Sequence, residues 1–201
     1  MGLLAACVAG CWPWIAIAQD SGHSKDYYNP GATQVDREWF NNVHSYHLQP
    51  GIKDMRPGRY DSAQQHFEFI LNAYPNQPQV LNLLSDLCVV RWKSPTCDPD
   101  SWFEKALATN PNVAGTYVVY GIHLQRKRQI PEAIEVLNKA LEMEPNSINA
   151  HYNLGLAYFE LKDYAKANEH AQKSYALGAS VPGLRDKLTK IGQWKPAATA
   201  N

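Results

Sequence analysis

Residues 151–167, HYNLGLAYFELKDYAKA, are helical in pattern, with a charged break at Lys162-Asp163. The pattern predicts a helix, a turn and a second helix. Gly155 lies inside the first of them, where it costs roughly 1 kcal/mol relative to alanine. The same arrangement stands upstream. Gly121 precedes Gly155 by 34 residues, and Ala133 precedes Ala167 by 34. Ala106, Ala140 and Ser174 keep that step, as do Pro111, Pro145 and Ala179; Val90, Leu124 and Tyr158; and Phe103, Leu137 and Ala171.

A fixed step of this length fits pairs of helices packed at close range. Small residues are needed where two backbones approach: Gly121 and Gly155 on the first helix, Ala133, Ala140 and Ala167 on the second. Burial at the crossing offsets the poor helix propensity of glycine. Pro111 and Pro145 stop the second helix of one unit and help launch the next. All of these residues read as architecture, and none is a functional candidate.

The segments VYGIHL, IPEAIEVLNKALEMEP, YNLGLAY and DYAKANEHAQKS resemble the tetratricopeptide repeat. The resemblance implies an all-α, right-handed solenoid of about four helix-turn-helix units with a C-terminal capping helix. Each unit cannot bury its apolar face alone, and stacking leaves a concave groove lined by the first helices. The units are read at 34–77, 80–113, 114–147 and 148–181. In the first, a helix over 34–48 is followed by the long connection QPGIKDMRPG and a second helix within 58–75. A two-residue insertion near Gln77-Pro78 precedes the second unit, whose internal turn reads KSPTCDPD. Asp98 followed by Pro99 starts the helix after that turn. Leu184, Leu188 and Ile191 mark an amphipathic capping helix within 182–194, with Ser180 as its cap. Residues 19–33 read as a flexible linker with a turn at Asn29-Pro30-Gly31, and 195–201 as a disordered tail.

Composition narrows the partners. Of 201 residues, 45% are hydrophobic and 19% charged, as in a globular chain. Lysine plus arginine equals aspartate plus glutamate, 19 against 19, so net charge favours neither nucleic acid nor an anionic membrane. The first 18 residues carry no charge and end in Ala16-Ile17-Ala18, the pattern of a secretory signal cut before Gln19. That predicts an exported, periplasmic protein. Two alternatives remain open. Val8-Ala9-Gly10-Cys11 resembles a lipobox, which would make an outer-membrane lipoprotein. An uncleaved anchor needs about 20 apolar residues, and Pro13 interrupts the run. Cleavage leaves Cys88 and Cys97, either as a disulfide or as two thiols that never meet.

Candidate chemistry is sparse. The chain has no nucleophile elbow, P-loop, H-E-x-x-H or C-x-x-C motif. His44, His47 and His66 form a trio that could ligate zinc or copper, or face solvent; no metal or cofactor is assigned. The resemblance places partner binding on the first helices, at Arg91, Trp92, Ile122, Gln125, Arg126, Tyr152, Leu156 and Phe159. Leu81, Leu84, Cys88, Val118, Asn149 and Glu160 share that register, several of them as packing residues between units. Aromatic residues and arginine are what partner-binding surfaces favour. A family subtype grips carboxy-terminal peptides with basic and asparagine side chains; Leu84, Val118 and Tyr152 at the matching positions argue against that clamp. The expected function is a non-enzymatic scaffold of the bacterial envelope that binds a protein segment in the groove. The alternatives are a lipoprotein pilot or anchor for a pilus or secretion complex, and a metal- or redox-dependent periplasmic module.

Overall fold

The computed structural model describes residues 25–29 and 31–196. The expected signal segment, 1–18, and residues 197–201 of the expected tail lie outside them. Among the described residues all regular structure is helical. The elements are α1 (Gln34–Asp54), α2 (Tyr60–Ala73), α3 (Pro78–Ser85), a π-helical segment that prolongs α3 (Asp86–Trp92), α4 (Pro99–Thr109), α5 (Ala114–Arg126), α6 (Ile130–Met143), α7 (Ile148–Glu160), α8 (Tyr164–Ala176) and α9 (Gly183–Lys190). The hairpins α1–α2, α3–α4, α5–α6 and α7–α8 stack in chain order. The first helices α3, α5 and α7 pack side by side, and α9 closes the end of the stack against α7 and α8.

The glycines sit where the two helices of a hairpin meet. A Cβ added at Gly121 would stand 2.5 Å from Leu137 Cγ. One added at Gly155 would run into Leu184 of α9 and come within 3.2 Å of the Ala167 carbonyl oxygen. Gly51, which local sequence preference places in a loop, is a third case: its added Cβ would lie 2.7 Å from Phe67 Cε1 and 3.0 Å from His66 Cβ. The expected helix over 34–48 in fact continues to Asp54, through Pro50 and Gly51. Pro50 removes one backbone donor from the helix, but packing of Gly51 against the fully buried Phe67 carries the helix past it. The close-crossing residue is thus 16 positions before its partner in three hairpins: Gly51–Phe67, Gly121–Leu137 and Gly155–Ala171.

This correspondence puts unit starts at residues 44, 78, 114 and 148. In the second unit Ser85 takes the place of the glycine; it is fully buried. The two extra residues therefore do not precede the unit, as the sequence suggests, but lie inside it. The wider π-helical turns and the loop from Lys93 to Asp98 absorb them. Cys97 in that loop is disulfide-bonded to Cys88 in the π-helical segment, with Cα atoms 5.6 Å apart.

Each hairpin turns through one residue with left-handed backbone. Gly58 (φ 86°), Lys93 (φ 54°), Arg128 (φ 65°) and Lys162 (φ 62°) serve in the four units. A residue with a Cβ pays roughly 1–2 kcal/mol in this conformation, against glycine's larger entropy loss on folding of roughly 0.5–1 kcal/mol. Lys162→Gly is therefore expected to stabilise the chain by about 0.5–1 kcal/mol, read as a higher denaturation midpoint with an unchanged slope.

Residues 25–29 are not the free linker that their composition suggests. Lys25 N–H donates to the Ala73 carbonyl (2.8 Å), and Tyr27 N–H to Asn76 Oδ1 (2.8 Å). The Asp26 carboxylate accepts from Asn76 Nδ2 (2.5 Å) and Asn110 Nδ2 (2.8 Å), tying the loops that follow α2 and α4. Burial, with Tyr27 and Glu144 nearby, pushes the Tyr28 hydroxyl up to about 12. At the other end, Asn168 accepts from the Lys195 N–H (2.9 Å) and donates to its carbonyl (3.1 Å), so the expected tail begins as a docked segment.

Candidate interaction surface

The side chains available to a partner follow from the unit starts. With the second unit beginning at 78, Leu81, Leu84 and Cys88 fall on its core side, and all three are buried among Phe67, Leu87 and Phe103. The same two-residue shift brings Asn82, Asp86 and Val90 into the register that Val118, Ile122 and Arg126 hold in the third unit. Asn82 and Asp86 are half-buried and Val90 is 48% exposed. The sequence carries a signal for this: Ser85 is the small residue that α3 can offer at a close crossing.

The expected binding residues separate into two groups. Arg91 is exposed and paired to Asp86 (Nε to Oδ2, 2.6 Å). Trp92 is half-buried beside Tyr60, ring centroids 6.2 Å apart. Ile122 is half-buried on the small cluster of Ala114, Val118, Ala140 and Ala150. Gln125 donates through Nε2 to the Asn153 carbonyl (3.0 Å), bridging α5 to α7. The second group is used internally. Tyr152, Leu156 and Phe159 are half-buried against the cluster of Ala167, Ala171, Leu184 and Leu188, the last two on α9. Lys187 lies 5.6 Å from the Phe159 ring centroid. Tyr152 and Phe159 are therefore half-covered rather than fully open in the groove: the capping helix packs on the face they present.

Arg126 is likewise held inside. Its Nη1 donates to the Asn82 carbonyl (3.2 Å) and to Ser85 Oγ (2.9 Å), locking α5 onto α3. Burial lowers the guanidinium below its ordinary value. From Ser85 a chain of polar contacts continues to His123 Nδ1 (2.9 Å), and from His123 Nε2 to Asp100 Oδ1 (3.0 Å). Lys127 Nζ donates to the other Asp100 oxygen (2.7 Å). The directions are fixed by inventory. Asp100 accepts from His123 Nε2–H, so Nδ1 accepts from the Ser85 hydroxyl, whose oxygen accepts from Arg126. Burial would raise the Asp100 carboxyl, but the hydrogen bonds from Lys127 and His123 outweigh it and leave it below its ordinary range.

Ser, His and Asp in a chain have the composition of a hydrolase triad, a set that sequence spacing does not reveal. Ser85 and His123 are both 0% exposed. No substrate carbonyl reaches a hydroxyl so enclosed, and the set serves to join the second and third units. Burial holds His123 below its usual value despite Asp100, while Lys127 and Arg126 add to the lowering. A proton on Nδ1 would also face the Ser85 hydroxyl. The folded chain therefore resists a proton that the unfolded chain accepts, and stability is lost as pH falls below about 6.5. The melting temperature is expected to drop between pH 7.5 and 5, and His123→Gln to flatten part of that slope.

His44 does not join His47 and His66. Its Nε2 lies 3.4 Å from Gln77 Nε2 and its ring packs beside Phe40. Among the described residues no three His, Cys, Asp or Glu side chains converge as metal ligands. No helix among them is long and apolar enough to cross a membrane.

Comparison with known proteins agrees with this architecture. Residues 127–162 match the family model described as TPR repeat, and 148–178 that described as tetratricopeptide repeat. The fold is an all-α solenoid of the tetratricopeptide-repeat type. Pseudomonas aeruginosa PilF superposes with a TM-score of 0.57 at 23% identity, covering 76% of this chain and 71% of that one. YrrB, described as a TPR protein with an unusual peptide-binding site, superposes with a TM-score of 0.53 at 20% identity, covering 78% and 77%. In sequence, the peroxisomal targeting signal receptor of Candida glabrata is 32% identical over 68 residues, which are 34% of this chain but 12% of the receptor.

Proposed function

We propose that this chain is a non-enzymatic scaffold that takes up a segment of a partner protein along its first helices. Repeat solenoids of this type mediate protein–protein interaction, and a peptide-binding site is described for YrrB. One observation carries the reading to particular residues. Among first-helix residues Ile52 and Val90 are exposed and Ile122 is half-exposed. Exposed apolar positions on the first helices suit a partner segment with apolar side chains.

The site of action belongs to the same proposal. The apolar, uncharged residues 1–18 ending in Ala-Ile-Ala support export and work in a bacterial envelope, after cleavage before Gln19. The test is affinity capture from envelope extract with the chain and its Val90→Glu and Ile122→Glu variants. The proposal predicts a saturable partner retained by the parent and lost by both folded variants. Equal capture by all three, or none by any, contradicts it. Intact mass of the envelope protein reports processing: Gln19 as first residue supports a released scaffold, and a lipid-bearing Cys11 supports a membrane-anchored one instead.

A further inference from the structure

Two histidine pairs stand apart from the surface just described. His47 on α1 and His66 on α2 bring their Nδ1 atoms to 3.0 Å. His151 on α7 and His170 on α8 do the same, also at 3.0 Å. Each pair is 19 residues apart and takes the fourth and twenty-third places of its unit, counted from 44 and 148. In the third unit those places hold Tyr117 and Val136, so the hairpin itself does not require histidines there.

Two N–H groups cannot face each other at this separation, so one nitrogen of each pair presents a lone pair. In the last unit the roles are fixed. His151 Nε2 donates to the Pro145 carbonyl (3.0 Å), which leaves Nδ1 of the neutral ring as the acceptor, with His170 Nδ1–H as donor. A backbone carbonyl holding one ring nitrogen while the other faces a second imidazole is the support that ligating histidines receive.

We propose that each pair is a binding site for a divalent transition cation of the copper type, held through the two Nδ1 atoms in place of the shared hydrogen. Imidazole nitrogens bind such ions at about 2.0–2.1 Å, so two ligands at a right angle lie about 2.9 Å apart. The pairs already have nearly that span. Cu²⁺ leads because it binds nitrogen ligands most tightly in the first row and takes tetragonal geometry. Binding needs the donor ring to move its hydrogen from Nδ1 to Nε2 and the two rings to turn until both Nδ1 lone pairs meet at the ion, with no net proton release and no redox step. No third protein ligand joins either pair among the described residues, so water completes the shell. His66 lines an open cleft with Gln49, Lys53, Asp54 and Ser62; in the last unit His151 is 5% exposed, and the ion enters past the half-exposed His170.

The probe is CuCl₂ added to purified, tag-free chain in a non-coordinating buffer at neutral pH, followed by electron paramagnetic resonance. The His66→Asn/His170→Asn double variant is expected to bind two equivalents fewer than the parent, each single variant one fewer, and His44→Asn no fewer. The bound signal should be axial, with hyperfine coupling to two imidazole nitrogens. Circular dichroism checks that the variants remain folded. The unaltered chain gives an independent readout: substoichiometric Cu²⁺ should broaden the ring ¹⁵N resonances of His47, His66, His151 and His170 and spare those of His44 and His123. Copper retained in full by the double variant, or broadening that ignores the four paired rings, overturns the proposal.

Discussion

Leu184→Ala is expected to lower the stability of the folded chain by about 2–5 kcal/mol, the range for removing a fully buried leucine. Leu184 has no solvent exposure and fills the space that Gly155 leaves open. Around it lie Ala167, Ala171 and Leu188, with Tyr152, Leu156 and Phe159 at the edge. Its loss leaves a cavity between α9 and the last hairpin and exposes the face the cap covers. A urea titration reads the effect as a lower midpoint. Ile191, 42% exposed just beyond α9, is the control: Ile191→Ala should stay within about 0.5 kcal/mol of the parent. Equal midpoints for the two variants would mean that the cap is not packed as described, and Tyr152 and Phe159 would return as binding residues.

Gly51→Leu is expected to cost about 1–3 kcal/mol through overpacking. The first added carbon already meets Phe67 and the His66 Cβ, and Phe67 is enclosed at 0% exposure with little room to yield. The neighbouring Ile52→Leu, at a 36% exposed site, should be nearly neutral. If Gly51→Leu melted like the parent, α1 would not cross α2 there, and the unit start at residue 44 would fall.

These two sites show what is readable in the sequence. The 34-residue step places α5 to α8 because glycine, alanine and proline recur there without insertions. Before residue 114 two local signals mislead. Pro50-Gly51 reads as a turn from local preference, but burial against Phe67 outweighs the lost backbone donor and the helix continues. The unit at 78 is read backward from Pro111, through an insertion whose position only the small Ser85 marks. A π-helical segment takes up residues without breaking the helix, so the register slips by two and the core residues Leu81, Leu84 and Cys88 fall in the register of the groove.

The remaining differences are of another kind. Asp26 meeting Asn76 and Asn110, and Arg126 reaching Ser85 and Asn82, are polar contacts between distant segments. Such contacts leave no periodicity for a sequence to display. The capping helix is legible from Leu184 and Leu188, but not the face it occupies. Tyr152 and Phe159 therefore read as residues for a partner, when α9 already uses them.

The most direct test of the interaction surface is site-specific photo-crosslinking in envelope extract. A photoreactive side chain replaces Val90 on the first-helix layer or Glu135 on α6. Crosslinks to one protein from position 90, with none from 135, are the predicted result. Capture from position 135 with position 90 silent would place binding on the opposite layer and contradict the account.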